Sequence, residues 1–177
     1  GEAVDEALLL ASDGSGQEET EAAIRIVEFS DFQCPYCATL AATMDRVKEA
    51  FGEEVHVDFR HLPLSFHQHA MPAAKAAVCA EEQGKFWPYH DALFENQGRL
   101  SEEGIFVELA SDVGLDLAVF ETCVDAASTQ AQVDEDIAAA ESLEIRGTPT
   151  FFINGERFGG ALPYARIEAY IERQLAE

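Results

Sequence analysis

Apolar and polar positions divide the chain into short strands and helices. An apolar run from Ile24 to Phe29 breaks at Ser30 and Asp31. A short run bounded by turn-forming residues predicts a central strand. Apolar residues then fall at Cys37, Leu40, Met44, Val47 and Phe51, the spacing of one helix face, and Gly52 closes that helix. From Glu53 to Arg60 the period changes to two. Val55, Val57 and Phe59 alternate with His56, Asp58 and Arg60, which predicts a half-exposed strand. Strand, helix and strand in succession make a right-handed βαβ unit.

Helical spacing dominates from there to Leu143. Pro72 to Gln83 is rich in small residues and ends at Gly84; Phe86 to Phe94 is a second helix, with Trp87, Tyr89 and Phe94 read as core. Ser101 and Leu115 open two further helical patterns, and Ser128 to Leu143 is mostly polar, with a narrow apolar face of Val133, Ile137 and Ala140. Strand character returns at Phe151 to Asn154. Asn154-Gly155 is a strong hairpin turn, and Glu156 to Phe158 is the return strand. Pro163 opens the last helix, with Tyr164, Ile167, Ile171 and Leu175 inward. Ahead of the first strand, Leu8 to Ala11 reads as a short leading strand and Ser12 to Gln17 as a flexible connection.

Composition narrows the classes. A chain of 177 residues suits one domain with a substantial core, and 47% hydrophobic content marks its acidity as a surface property rather than disorder. The net charge is −23. Such a surface repels the phosphates of nucleic acid and the headgroups of anionic lipid. An acid-rich surface suits concentrated salt, where screening relieves self-repulsion, so a saline habitat is expected. No stretch reaches the ~20 apolar residues of a membrane span. The chain opens with the acidic Gly1-Glu-Ala-Val-Asp-Glu, and no secretory signal is visible.

The candidate chemistry lies where the first strand meets the first helix, at Cys34-Pro-Tyr-Cys37. Pro35 fits a first helical position, where a missing N–H costs nothing. Cys34 then sits at the helix start, among unpaired amides that favour an anion, and a helix N-terminus lowers a cysteine pKa from ~8.5 into the range of roughly 3.5 to 7.5. Cys37 lies on the buried stripe. One sulfur is expected to be an exposed thiolate and the other a sheltered partner, which suits thiol–disulfide exchange. Half of a zinc site is the competing reading, but Cys79 and Cys123 stand alone and supply no second close pair. Those two fall on apolar helix faces. They are either separate buried thiols or a structural disulfide joining two helices, and the even cysteine count favours the bridge. Glu28 shares strand parity with Ile24 and Ile26. It is either a strand-end acid with its head in water or a buried acid whose raised pKa suits proton transfer to Cys37. His61, His67 and His69 lack interleaved acidic or cysteine ligands, so no metal is expected there; His67 or His69 is placed at the rim of the active-site groove. His90 reads as packed or surface-lying rather than as a base.

Glu28-Phe-Ser-Asp-Phe-Gln-Cys-Pro-Tyr-Cys37 resembles the active-site segment of the DsbA-like, thioredoxin-fold disulfide oxidoreductases. Arg146-Gly-Thr-Pro-Thr-Phe-Phe-Ile-Asn-Gly155 is similar to that family's cis-proline loop and following strand. Ala73-Ala-Lys-Ala-Ala-Val-Cys-Ala80 and Gly84-Lys-Phe-Trp-Pro-Tyr-His-Asp-Ala-Leu-Phe94 look like its helical insertion. The resemblance implies an α/β thioredoxin-like fold, a mixed central sheet flanked by helices. Its core would be 23–62 and 144–177, its inserted helical subdomain 63–143, and residues 1–22 would be the leading strand and connection.

Several roles follow from the resemblance. Glu28 would be the family's buried acid. Pro149 would be the cis-proline facing the Cys34–Cys37 disulfide, and Thr148 would offer backbone groups to an extended substrate added as a strand. Pro35 and Tyr36 would contact substrate, and Tyr36 would tune the potential. The implied activity is introduction of disulfides into exported, cysteine-containing proteins outside the cytoplasm. A membrane quinone-linked oxidoreductase would recharge the pair, and the chemistry needs no cofactor. Isomerase-type members carry an N-terminal dimerisation domain, which the stretch before Ile24 is too short to form, so a monomer is expected. Three alternatives stay open: reductase or isomerase chemistry at the same site, a glutathione-dependent transferase, and a non-catalytic module that binds metal or peptide.

Overall fold

The computed structural model describes residues 21–177. The leading strand and connection expected at Leu8 to Gln17 lie outside the described residues. A four-stranded mixed sheet holds β1 (Ile24–Ser30), β2 (Val55–His61), β3 (Thr150–Ile153) and β4 (Glu156–Gly159) in the order β2-β1-β3-β4. Strand β3 runs antiparallel to β1, with Ile26 opposite Ile153 and Phe29 opposite Thr150, and antiparallel to β4. The helices are α1 (Pro35–Phe51), α2 (Ala70–Glu82), α3 (Phe86–Glu95), α4 (Ile105–Asp112), α5 (Leu117–Val124), α6 (Ala127–Ser142) and α7 (Tyr164–Leu175). This is a thioredoxin-like α/β fold.

Two compact units divide these elements. Among the described residues, one holds 21–30, Pro35–Arg60 and Ala139–Glu177; the other holds Asp31–Cys34 and His61–Ala138.

The sheet unit is built on its two inner strands. Ile26, Phe151, Phe152 and Ile153 have no exposed surface, as strands paired on both edges require. Helix α1 turns Cys37, Leu40, Ala41, Met44 and Val47 inward, and Lys48 stands in its last turn, where a cation suits the helix dipole. The β3–β4 hairpin turns on Asn154 (φ 47°) and Gly155 (φ 84°). A two-residue turn of this hand needs positive φ at both positions, which Asn and Gly tolerate. Arg46 lies over the Tyr164 ring at 4.0 Å, joining α1 to α7.

Strand β2 departs from expectation. Its alternation predicts one solvated face, yet Asp58, Arg60 and His61 are all buried. Asp58 is tolerated inside because Arg25 Nε meets its Oδ2 at 2.8 Å and His56 Nε2 lies 3.0 Å from its Oδ1. A carboxylate paired in this way offsets much of its desolvation cost.

The helical unit relies on small side chains. Ala73, Ala74, Ala76, Ala77 and Ala80 of α2 are buried, which lets that helix approach α3 and α5 closely. Ala74, Val78 and Val133 form a core that Met71 and Ile137 flank. Tyr89 is fully buried, and its hydroxyl donates to the Phe106 carbonyl at 2.9 Å. Burial pushes that phenol well above the usual tyrosine range. Trp87 and Phe94, expected in the core beside it, are only half-buried. Both instead edge the His90 ring, with centroids 5.0 Å away. Cys79 and Cys123 are joined in a disulfide that ties α2 to α5.

Candidate active site

The turn that ends β1 and starts α1 is organised by Asp31. Its side chain is buried, and Oδ1 accepts the Gln33 N–H at 2.7 Å, two residues on. This local bond is the habit that makes aspartate a turn former. Asp31 Oδ2 accepts the Leu64 N–H at 2.8 Å and lies 2.8 Å from His67 Nδ1. The Asp31 carbonyl accepts the Cys34 N–H at 3.1 Å. Gln97 Nε2 donates to the carbonyls of Phe32 and Cys34, each at 2.9 Å, and Phe32 packs against Phe94 and His90. The backbone leading into the first cysteine is therefore held from both sides.

Cys34 immediately precedes Pro35, the first residue of α1, and Cys37 lies in that helix's first turn. Cys37 is 1% exposed, the sheltered position its spacing predicts. Cys34 is 5% exposed, which corrects the expectation of an open thiolate. The Asp31 carbonyl and the Gln97 amide hold the N–H and the carbonyl of this residue, so its backbone is tied to the fold on both sides. Solvent instead meets the two residues between the cysteines: Pro35 is exposed and Tyr36 is 68% exposed.

Glu28 is 3% exposed and sits opposite Phe151 in the β1–β3 ladder. Of the two readings of this acid, the one with its head in water is excluded. The Thr148–Pro149 peptide is cis. Pro149 is buried and its carbonyl accepts the Gly160 N–H at 2.9 Å, while Thr148 is half-buried. The Thr150 hydroxyl closes the same loop by donating to the Gly147 carbonyl at 2.7 Å.

The second cysteine pair has a different setting. Glu82 Oε2 lies 3.2 Å from Cys123 Sγ, and the buried Thr129 hydroxyl donates to the Cys123 carbonyl at 2.6 Å. The histidines are scattered over separate tasks. The His61 N–H donates to Asp136 Oδ2 at 2.9 Å, His67 faces Asp31, the His69 N–H donates to Gln33 Oε1 at 2.9 Å, and His90 is packed among rings. Among the described residues no group of three or more His, Cys, Asp or Glu side chains is placed to hold a metal ion.

Asp31, Gln33 and Gln97 are the positioning residues that the reading by pattern missed. Asp31 carries a local signal, a turn-forming aspartate two residues before the bond it accepts. Gln97 carries none, because its contact spans 63 positions.

The family model described as thioredoxin matches residues 16–173. The structure is similar to a thioredoxin-like oxidoreductase from Silicibacter pomeroyi DSS-3, with a TM-score of 0.83, 26% identity and coverage of 98% of this chain and 99% of that one. It is also similar to oxidised BdbD from Bacillus subtilis, with a TM-score of 0.80, 23% identity and coverage of 90% and 91%. A curated relative from Herminiimonas arsenicoxydans, named Na(+)/H(+) antiporter NhaA, is 34% identical over 152 residues, 86% of this chain and 24% of that protein. The chain thus spans about a quarter of the length of the curated relatives it matches.

Proposed function

Because the chain belongs to the thioredoxin family and has the build of its DsbA-like members, we propose that it is a thiol–disulfide oxidoreductase working as an oxidase. The observation that carries this is the placement of Cys34 at the start of α1 with Cys37 buried one turn in. Unpaired amides at a helix start favour an anion, and a sulfur that leaves readily as an anion makes a disulfide at such a place easily reduced.

In the proposed cycle the pair begins oxidised. A substrate thiolate attacks Cys34, the Cys34–Cys37 bond breaks and Cys37 leaves as a thiolate. A second substrate thiolate then displaces Cys34. The substrate loses two electrons and gains a disulfide; the pair gains them and is left as two thiols. Glu28, buried on β1, is the proposed proton carrier for Cys37. Thr148 and Pro149 are the proposed backbone contact for an extended substrate, with Pro35 and Tyr36 beside the reacting sulfur. The substrates are folding proteins outside the cytoplasm, and recharging falls to a membrane thiol or quinone oxidoreductase. Antiport, named for the curated relatives, belongs to those proteins; no helix among the described residues is long and apolar enough to cross a membrane.

Equilibrating the protein with glutathione buffers tests the direction. An oxidase holds Cys34–Cys37 reduced at ratios where a reducing thioredoxin, near roughly −270 mV, is still oxidised. A potential as low as that assigns the site to reduction. Glu28→Gln tests the proton role: the pH profile of exchange at Cys37 shifts, and an unchanged profile removes Glu28 from the mechanism.

A further inference from the structure

Phe66 is 74% exposed, the largest value among the open apolar side chains of the described residues. A single exposed apolar residue is ordinary and means nothing alone. Its anchorage is what distinguishes it. Phe66 stands in the loop between β2 and α2, and that loop is bonded to the turn bearing Cys34 at three points. The Leu64 N–H and His67 Nδ1 both meet Asp31 Oδ2 at 2.8 Å, and the His69 N–H donates to Gln33 Oε1 at 2.9 Å. Asp31 and Gln33 lie three positions and one position before Cys34. Within the loop the His67 N–H also donates to the Leu64 carbonyl at 3.0 Å. The Phe66 ring meets the His67 ring edge-on at 4.5 Å.

The backbone on either side of Phe66 is thus held before anything binds, so its ring is presented at little further entropic cost. Loops pinned to a scaffold beside a reactive group are where recognition residues concentrate. The only other exposed aromatic side chain in that set is Tyr36, between the two cysteines.

We propose that Phe66 is a specificity-determining residue, whose ring receives the apolar side chain flanking a reacting cysteine in an unfolded polypeptide. The proposal rests on the exchange function above. A chain that has not yet acquired its disulfides still exposes the apolar residues beside its cysteines, and a small thiol has none. The net charge of −23 turns acidic segments away, so the favoured segment is apolar and neutral or basic. The contact changes neither the bonds nor the electrons of the exchange; it raises the encounter rate and residence of one substrate class over another.

The test measures the rate at which the oxidised protein is reduced by three probes. These are dithiothreitol, a dithiol peptide with leucine beside each cysteine, and the same peptide with serine there. The native protein favours the leucine peptide. In Phe66→Ala the ratio of the leucine-peptide rate to the dithiothreitol rate falls about tenfold, the loss expected of one aromatic anchor. Phe66→Leu keeps most of the ratio, because an apolar side chain is still presented. An unchanged ratio in Phe66→Ala, or a serine peptide that falls equally, overturns the role of Phe66 and leaves the exchange reading intact. A native protein that dithiothreitol reduces without releasing a Cys34 thiol overturns the exchange reading itself.

Discussion

The two cysteine pairs differ in setting, and under the proposed function they put one bond type to opposite uses. Cys34 and Cys37 bracket two exposed residues at the start of a helix, while Cys79 and Cys123 are 44 positions apart on two helices of an alanine-rich bundle. The stabilisation a bridge supplies grows with the loop it closes. In the chain-entropy description the short loop is worth about 2 kcal/mol and the long one about 4 kcal/mol. In the proposed cycle the short bridge opens and closes within the first turn of α1. The long bridge constrains the unfolded chain over the segment between α2 and α5. On the proposed function, spacing separates the pair suited to turnover from the pair that serves as a staple.

The largest expected effect breaks the first pair. Cys34→Ser brings exchange to the uncatalysed background while the urea midpoint stays near that of the native protein. Cys37→Ser keeps the attacking sulfur but loses the resolving one, so incubation with oxidised glutathione accumulates a stable mixed disulfide at Cys34, read by intact mass. If Cys34→Ser still turns over, the division of labour between the pairs is wrong.

Removing the second pair has a smaller effect and a different signature. The double variant Cys79→Ala, Cys123→Ala loses about 2–4 kcal/mol of unfolding free energy, measured by urea denaturation. The Cys34–Cys37 equilibrium with glutathione is expected to hold, since that pair is set by its own helix start. A tenfold shift in that equilibrium would show that the pairs are coupled.

The smallest effect asks whether polar bonds matter in the same bundle. Tyr89→Phe removes one buried hydroxyl and its bond to the Phe106 carbonyl, at a net cost of about 1 kcal/mol near neutral pH. Because burial raises the folded-state phenol, its contribution is full below the unfolded tyrosine value of ~10 and is lost as pH rises toward the higher folded value. The native-to-variant gap in urea midpoint therefore holds up to about pH 9.5 and shrinks above about pH 10. A constant gap would mean that the buried phenol does not set the alkaline limit.

Much of the site was legible in the chain because its signals are short-range. Pro35 after Cys34 announces a helix start, the stripe from Cys37 to Val47 orients that helix, and Asn154-Gly155 announces the hairpin. Reading failed where a distant residue changed the environment. The alternation of β2 is real in sequence, but Arg25 pairs with Asp58 and removes the reason for that face to meet water. Trp87 is large and apolar, yet only half-buried at the edge of the His90 cluster. Cys34 sits at the helix start as its spacing implies, but it is covered, and Gln97 and Asp31 hold its backbone. Nothing near residue 34 encodes the glutamine 63 positions on.

Taken alone, the order of residues settled the local geometry: where α1 begins, how far apart its two sulfurs lie and on which side of the helix the second one falls. Backbone dihedral preference and side-chain periodicity act over a few residues and suffice for these. Tertiary structure alone decided that Cys79 meets Cys123, that Asp31 holds Leu64 and His67, and that Cys34 is covered rather than open. Each of those depends on which distant segments the whole fold brings together, a balance of many weak contacts that no short stretch of the chain contains.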